Sequence, residues 1–118
     1  MNKDAALALL KKNTYVKYTL IDDTEVDMTL AFYLLKRLEG INPGVTERYY
    51  KLTNSKTMKD TDVVTILYTA YCCANIDDPE MMDEETFSIM MGADRMQMQG
   101  IMEKLMGSKK KAASVTHS

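Results

Sequence analysis

The run VVTILYTAYCCANI, residues 63–76, decides the fold, because it extends over fourteen residues without a single charge. Its β-branched beginning would also suit a strand, but a run of this length favours a helix. A helix that is hydrophobic on every side lies inside a domain, so the run predicts a central buried helix over 63–76. Just ahead of it, Asp60–Asp62 supply N-cap side chains and the negative charge that suits a helix start.

The adjacent cysteines Cys72 and Cys73 lie within this run and are the only two in the chain. On a helix their side chains diverge by about 100°, so they cannot easily join each other in a disulfide. Free cysteine is among the most buried residue types. We therefore expect both thiols to pack in the core.

Over residues 15–30 the hydrophobic residues recur at every second position, and no longer with the period of a helix. Apolar and polar side chains alternate on both sides of Asp22-Asp23, which predicts a β-hairpin with a four-residue turn over 21–24. A two-stranded hairpin alone is marginally stable in water. Its apolar face must therefore pack on helices.

Three shorter segments have the periodicity of helices. Residues 1–12 predict a short N-terminal helix, residues 29–39 a helix that ends at Gly40, and residues 45–52 a helix that follows Pro43. Together with the central helix and the hairpin, these helices account for most of the chain before Pro79.

Methionine is concentrated in the last part of the chain: eight of the 11 methionines lie between residues 81 and 106. The cap residues Asp83 and Asp94 predict a methionine-rich helix pair over 83–106, which divides near Gly92 and ends at Gly107. Residues 108–118 have no apolar period and predict a disordered basic tail.

These elements predict one domain, residues 1–107, within a chain of 118 residues. We expect a mainly α fold, a compact bundle of about five to six short helices with one N-terminal β-hairpin (about residues 15–30) packed on it. No apolar run approaches the roughly 18 residues of a membrane span, so we expect a soluble protein without a membrane partner. The net charge of −2 gives no reason to expect nucleic acid as the main partner.

The chain lacks the residue patterns of the common catalytic sites. Its one histidine, His117, lies in the polar tail, and Gly-rich phosphate loops and metal-ligand spacings are missing. The carboxylate pairs Asp22-Asp23, Asp77-Asp78 and Glu84-Glu85 are better explained as a turn, a helix end and a helix start. We predict no enzyme activity, no cofactor and no metal.

Four stretches in this order resemble the small tail assembly chaperones of long-tailed phages and prophages of Gram-positive bacteria. They are YTLIDDTEVDMTL (18–30), LLKRL (34–38), VTILYTAY (64–71) and MDEETF (82–87). The resemblance covers about residues 15–106 and lies in the order of elements, since the family has no catalytic signature to match.

The resemblance implies a non-enzymatic protein that binds and solubilises the tape measure protein and recruits tail tube protein during tail assembly. It further implies location in the host bacterial cytoplasm and absence from the mature virion. A frameshift-extended form of the chain itself is a further partner that the family suggests, and the role is compatible with a homo-oligomer.

Methionine side chains are flexible and polarizable, which suits contact with a varied apolar partner. We therefore take Met91, Met96, Met98 and Met106 as partner-binding residues, with core packing as an equal alternative for each.

An alternative function is a small helical regulator of a phage or mobile element that binds nucleic acid or a host protein. It would use Lys109–Lys111 together with Arg48 and Lys51.

Overall fold

The computed structural model describes the backbone of residues 1–117 and the side chains of residues 1–107. It confirms the mainly α fold with one antiparallel hairpin near the N-terminus. In chain order the elements are α1 (Lys3–Thr14), β1 (Val16–Thr19), β2 (Glu25–Met28), α2 (Phe32–Ile41), α3 (Pro43–Thr53), α4 (Asp60–Ala74), α5 (Glu84–Met91) and α6 (Arg95–His117).

Helix α4 is the central element, as its uncharged sequence predicted. It contacts β2, α2, α3, α5 and α6, and Ile66, Leu67 and Ala70 are wholly inaccessible to solvent. Cys72 and Cys73 are free thiols in the core. Burial raises the pKa of Cys72 to about 11 and that of Cys73 to about 12, so both are protonated, apolar packing groups at neutral pH.

The start of α4 differs in detail from the prediction. Lys59, and not one of Asp60–Asp62, occupies the N-cap position. Its backbone N–H donates to the Asp62 carboxylate at 3.0 Å. Asp62 therefore stabilises the helix from inside the first turn, where a carboxylate also suits the helix dipole.

The hairpin packs one face on α4. Its register pairs Val16 with Met28 and Tyr18 with Val26, and Tyr18 and Met28 are buried. The backbone N–H of Thr29 donates to the carbonyl of Ala70 at 3.1 Å. This bond joins the end of the hairpin to the middle of the central helix.

Side-chain amides bind the outward-facing peptide groups of both hairpin strands. The Thr19 N–H donates to Gln97 Oε1 at 2.9 Å, and Gln97 Nε2 donates to the Thr19 carbonyl at 3.0 Å. On the other strand, Asn75 Nδ2 donates to the Asp27 carbonyl at 3.1 Å. Gln97 thereby holds α6 against β1, and Asn75 holds the end of α4 against β2.

Two glycines that we expected to end helices do not. Helix α2 continues through Gly40 to Ile41, and α6 continues through Gly107 to His117. An interior glycine costs only up to about 1 kcal/mol relative to alanine, which packing and helical hydrogen bonds can outweigh. Gly92 does follow the end of α5, with φ 68°.

The sequence predicts a disordered tail over residues 108–118, whereas the backbone of residues 108–117 continues helix α6. The side chains of the tail lie outside the described residues.

Helix α1 is the least packed element. It extends two residues beyond the expected 1–12 and contains no buried residue. Leu7 and Leu10 are half-buried, and Thr14 Oγ1 accepts a hydrogen bond from Thr29 Oγ1 at 2.8 Å. Among the described residues, no helix is both long enough and apolar enough to cross a membrane.

Candidate functional site

A surface groove of about 460 Å³ lies where the beginnings of α4 and α6 meet α5. Its floor is apolar and contains Tyr18, Val64, Met91 and Met98. We call it the methionine groove. Its volume is within the range of ligand-binding clefts, and its floor brings together residues of β1, α4, α5 and α6.

An aromatic cluster positions α5 beside this groove. Phe87 is fully buried, with ring centroids 5.3 Å from Tyr68 and 4.9 Å from Tyr71. The Tyr68 hydroxyl donates to the Met82 carbonyl at 3.2 Å, and the Met82 N–H donates to the Tyr71 hydroxyl at 2.8 Å. The two tyrosines thus hold the backbone just ahead of α5, and burial raises the pKa of both hydroxyls.

Two aspartates cap the helices that form the groove, as predicted. Asp83 Oδ1 accepts the Thr86 N–H at 2.8 Å, and Asp94 Oδ1 accepts the Gln97 N–H at 3.0 Å. The hydrogen bonds with Thr86 lower the pKa of the Asp83 carboxyl. These caps satisfy helix donors that would otherwise lack partners, and they set where α5 and α6 begin.

The mouth of the groove is charged. Its lining contains the carboxylates of Asp60, Glu84 and Asp94 and the guanidinium of Arg95. Arg95 pairs with Asp60 at 2.8 Å. Glu84 accepts two hydrogen bonds from Arg48, which lies outside the lining. The groove therefore combines an apolar floor with a rim in which carboxylates outnumber cations.

The structure separates the four methionines that we took as partner-binding residues. Met91 is 4% exposed and Met98 is 8% exposed, and both form the groove floor as part of the core. Met96 is 86% exposed, and Met106 is half-buried in a different groove. They do not share one surface, and partner binding by these residues stays a prediction.

The second groove, of about 410 Å³, lies beside α1. We call it the α1 groove, and it is lined in part by Leu10, Val16, Leu30, Phe32 and Met106. The sequence interpretation missed Phe32, which is 73% exposed. The sequence could have indicated this residue, because Phe32 lies off the apolar stripe that Leu34, Leu35 and Leu38 form on α2. Packing in the core therefore does not explain a phenylalanine at this position.

The basic residues proposed for nucleic acid bind neighbouring carboxylates. Arg48 pairs with Glu84, and Lys51 Nζ lies 3.4 Å from Glu47. Tyr50 packs edge-on against the ring of Tyr49. These contacts give no support to a basic stacking surface on α3, and the side chains of Lys109–Lys111 lie outside the described residues.

At least one member of each carboxylate pair has a structural partner. Asp22 accepts two hydrogen bonds from Thr24 in the hairpin turn. Asp77 binds Arg37, whose hydrogen bond lowers the pKa of the Asp77 carboxyl, and Glu84 binds Arg48. Across residues with described side chains, no three His, Cys, Asp or Glu groups are arranged to hold a metal ion.

Comparisons of the chain with protein-family models, with curated proteins and with solved structures find no match.

Proposed function

We propose that this protein is a tail assembly chaperone that binds and solubilises a tape measure protein and recruits tail tube subunits, without catalysis. The observation that carries the proposal is the methionine groove. An apolar groove on a helical surface suits the apolar face of an amphipathic helix. A tape measure protein exposes long stretches of such helix before assembly, and exposed apolar surface of that kind leads to aggregation.

The composition of the groove floor supports this kind of partner. Met91 and Met98 are nearly buried but border the groove, and their flexible thioether side chains can adapt to differently shaped neighbours. A long helical partner offers many similar but unequal segments, so an adaptable floor is of more use than a rigid one. The sequence resemblance supports the same function, and Tyr18 and Val64 lie within two of the four stretches that carry it.

The experiment is co-expression of the full chain with a tape measure protein, followed by measurement of soluble and copurified tape measure. Ser88 is exposed and lines the groove, so Ser88→Trp is expected to obstruct it without disturbing the core. Ile89, the next residue, is 62% exposed and is not part of the groove lining. Ile89→Trp is therefore the matched control, since it adds the same side chain to the same helix.

We expect the wild-type chain and Ile89→Trp to keep the tape measure soluble, and Ser88→Trp to lose most of this effect. Thermal unfolding of both variants checks that they fold alike. A tape measure that is equally soluble without this chain would refute the function. Equal solubilisation by Ser88→Trp would refute the groove as the binding site.

A further inference from the structure

We propose that the methionine groove selects helices whose apolar face is flanked by lysine or arginine side chains. This inference rests on the proposed function, because it specifies the partner of the same groove. It concerns the rim of the groove, whereas the proposed function depends on the floor.

The floor requires an apolar face on the bound segment. Tyr18, Met91 and Met98 are each less than one tenth exposed, and Val64 packs partly buried beside them. Polar side chains placed on this floor would lose hydrogen bonds to water without gaining protein partners. The bound helix must therefore place its hydrophobic side chains on the groove floor and its flanks beside the rim.

The rim carries three carboxylates and one cation, a net charge of −2 for the lining, from Asp60, Glu84, Asp94 and Arg95. Counting Arg48, which binds Glu84 from outside the lining, still leaves an excess of one carboxylate. That carboxylate belongs to Asp94. Its hydrogen bond comes from the backbone of Gln97, and within the described side chains it has no ion pair.

Asp60 is a second acceptor for a cation on the bound helix. Its present partner is Arg95, and the two side chains are 49% and 73% exposed respectively. Ion pairs this exposed contribute little to stability, so exchange of Arg95 for a cation of the partner costs little free energy. A partner with acidic flanks would instead place carboxylates beside Asp60 and Asp94. Such like-charge contacts reject a wrong partner even where the apolar fit is good.

The test uses two synthetic, fluorescently labelled helical peptides with identical apolar faces. One has lysines on both flanks and the other has glutamates, and fluorescence anisotropy measures their affinity for the full chain at low and high salt. Because Asp60 only exchanges one cation for another, the single new exposed ion pair at Asp94 predicts that the lysine-flanked peptide binds about twofold to fivefold more tightly. Because salt screens exposed charges, this preference should shrink as ionic strength rises.

Asp94→Asn identifies the source of the preference. Asparagine caps a helix as well as aspartate does, so the variant removes the charge and keeps the start of α6. Glu103→Gln is the control, since Glu103 is exposed on the same helix and outside the groove lining. Asp94→Asn is expected to reduce the preference for lysine at least twofold relative to Glu103→Gln.

Equal binding of the two peptides, or equal effects of Asp94→Asn and Glu103→Gln, would overturn the proposed selectivity. Failure of both peptides to bind would also overturn it. None of these results decides the proposed function, because solubility of the tape measure and its loss in Ser88→Trp are measured without the peptides.

Discussion

Replacing Gly92 with alanine is expected to destabilise the protein by about 2–6 kcal/mol, through two separable effects. The backbone at Gly92 has φ 68° and ψ −135°. For a residue with a side chain, this conformation lowers the free energy of unfolding by about 1–3 kcal/mol. An alanine Cβ would also lie less than 3.0 Å from Cγ2 of Ile21. Overpacking of this kind adds about 1–3 kcal/mol.

Ile21 is held in place close to Gly92. Although its side chain is 60% exposed, its backbone N–H donates to the Met90 carbonyl at 3.0 Å. Moving the branched Cβ away from a new methyl group would therefore strain the bond that joins the hairpin turn to α5. Ile21→Ala removes Cγ2, so it should relieve the clash and leave the backbone strain unchanged.

The assay is urea denaturation followed by circular dichroism, applied to Gly92→Ala, Ile21→Ala and the double variant as a thermodynamic cycle. Gly40→Ala is the control, because Gly40 lies within α2 and has no atom within 4 Å of an added Cβ. It should stabilise the protein by about 0.5–1 kcal/mol. A Gly92→Ala variant as stable as Gly40→Ala would refute the reasoning, and a purely additive cycle would refute the contact with Ile21.

Three other predictions concern the core. Because burial raises the pKa of Cys72 to about 11 and of Cys73 to about 12 from an ordinary 9.0, the unfolded chain loses these protons first. Their contribution to stability is full below about pH 9 and is lost as the pH rises through these values. Urea midpoints near pH 7 and pH 10 check this, and equal midpoints would contradict it. Leu67→Asp is expected to unfold the domain, since Leu67 is fully buried on α4; a cooperative thermal transition in this variant would show otherwise. Tyr68→Phe is expected to cost about 1 kcal/mol, because it loses the hydrogen bond to Met82 and keeps the ring packing. Tyr33→Phe, at a 42% exposed position, should be nearly neutral, and equal urea midpoints for the two variants would disprove a role for the Tyr68 hydroxyl.

The elements that the sequence predicted well are those with strong local signals. The uncharged run of α4, the period of two around Asp22-Asp23 and the caps at Asp83 and Asp94 each depend on residues a few positions apart. Local rules failed at Gly40 and Gly107, where a glycine follows a helical pattern but the helix continues. Gly107 lies inside α6, where helical turns on both sides outweigh the conformational preference of one residue, whereas α2 ends only one residue after Gly40.

The methionine groove depends on contacts that no local pattern contains. The hydrogen bonds between Thr19 and Gln97 span 78 positions of the chain, and they orient the first turns of α6. This orientation places Met98 on the groove floor and Met96 in solvent, although the two residues are only two positions apart. Sequence periodicity identified the methionine-rich helices, but it could not assign a surface to each methionine.

The side-chain amides that cover the hairpin strands also limit how a second polypeptide can join this protein. An uncovered strand edge accepts another strand, which is a common route to aggregation and to recognition of extended peptides. Here an added strand would first have to displace Gln97 from Thr19 on one edge or Asn75 from Asp27 on the other. Since each strand is only four residues long, few backbone partners would remain to compensate. The sheet is thereby protected from polymerisation by strand addition.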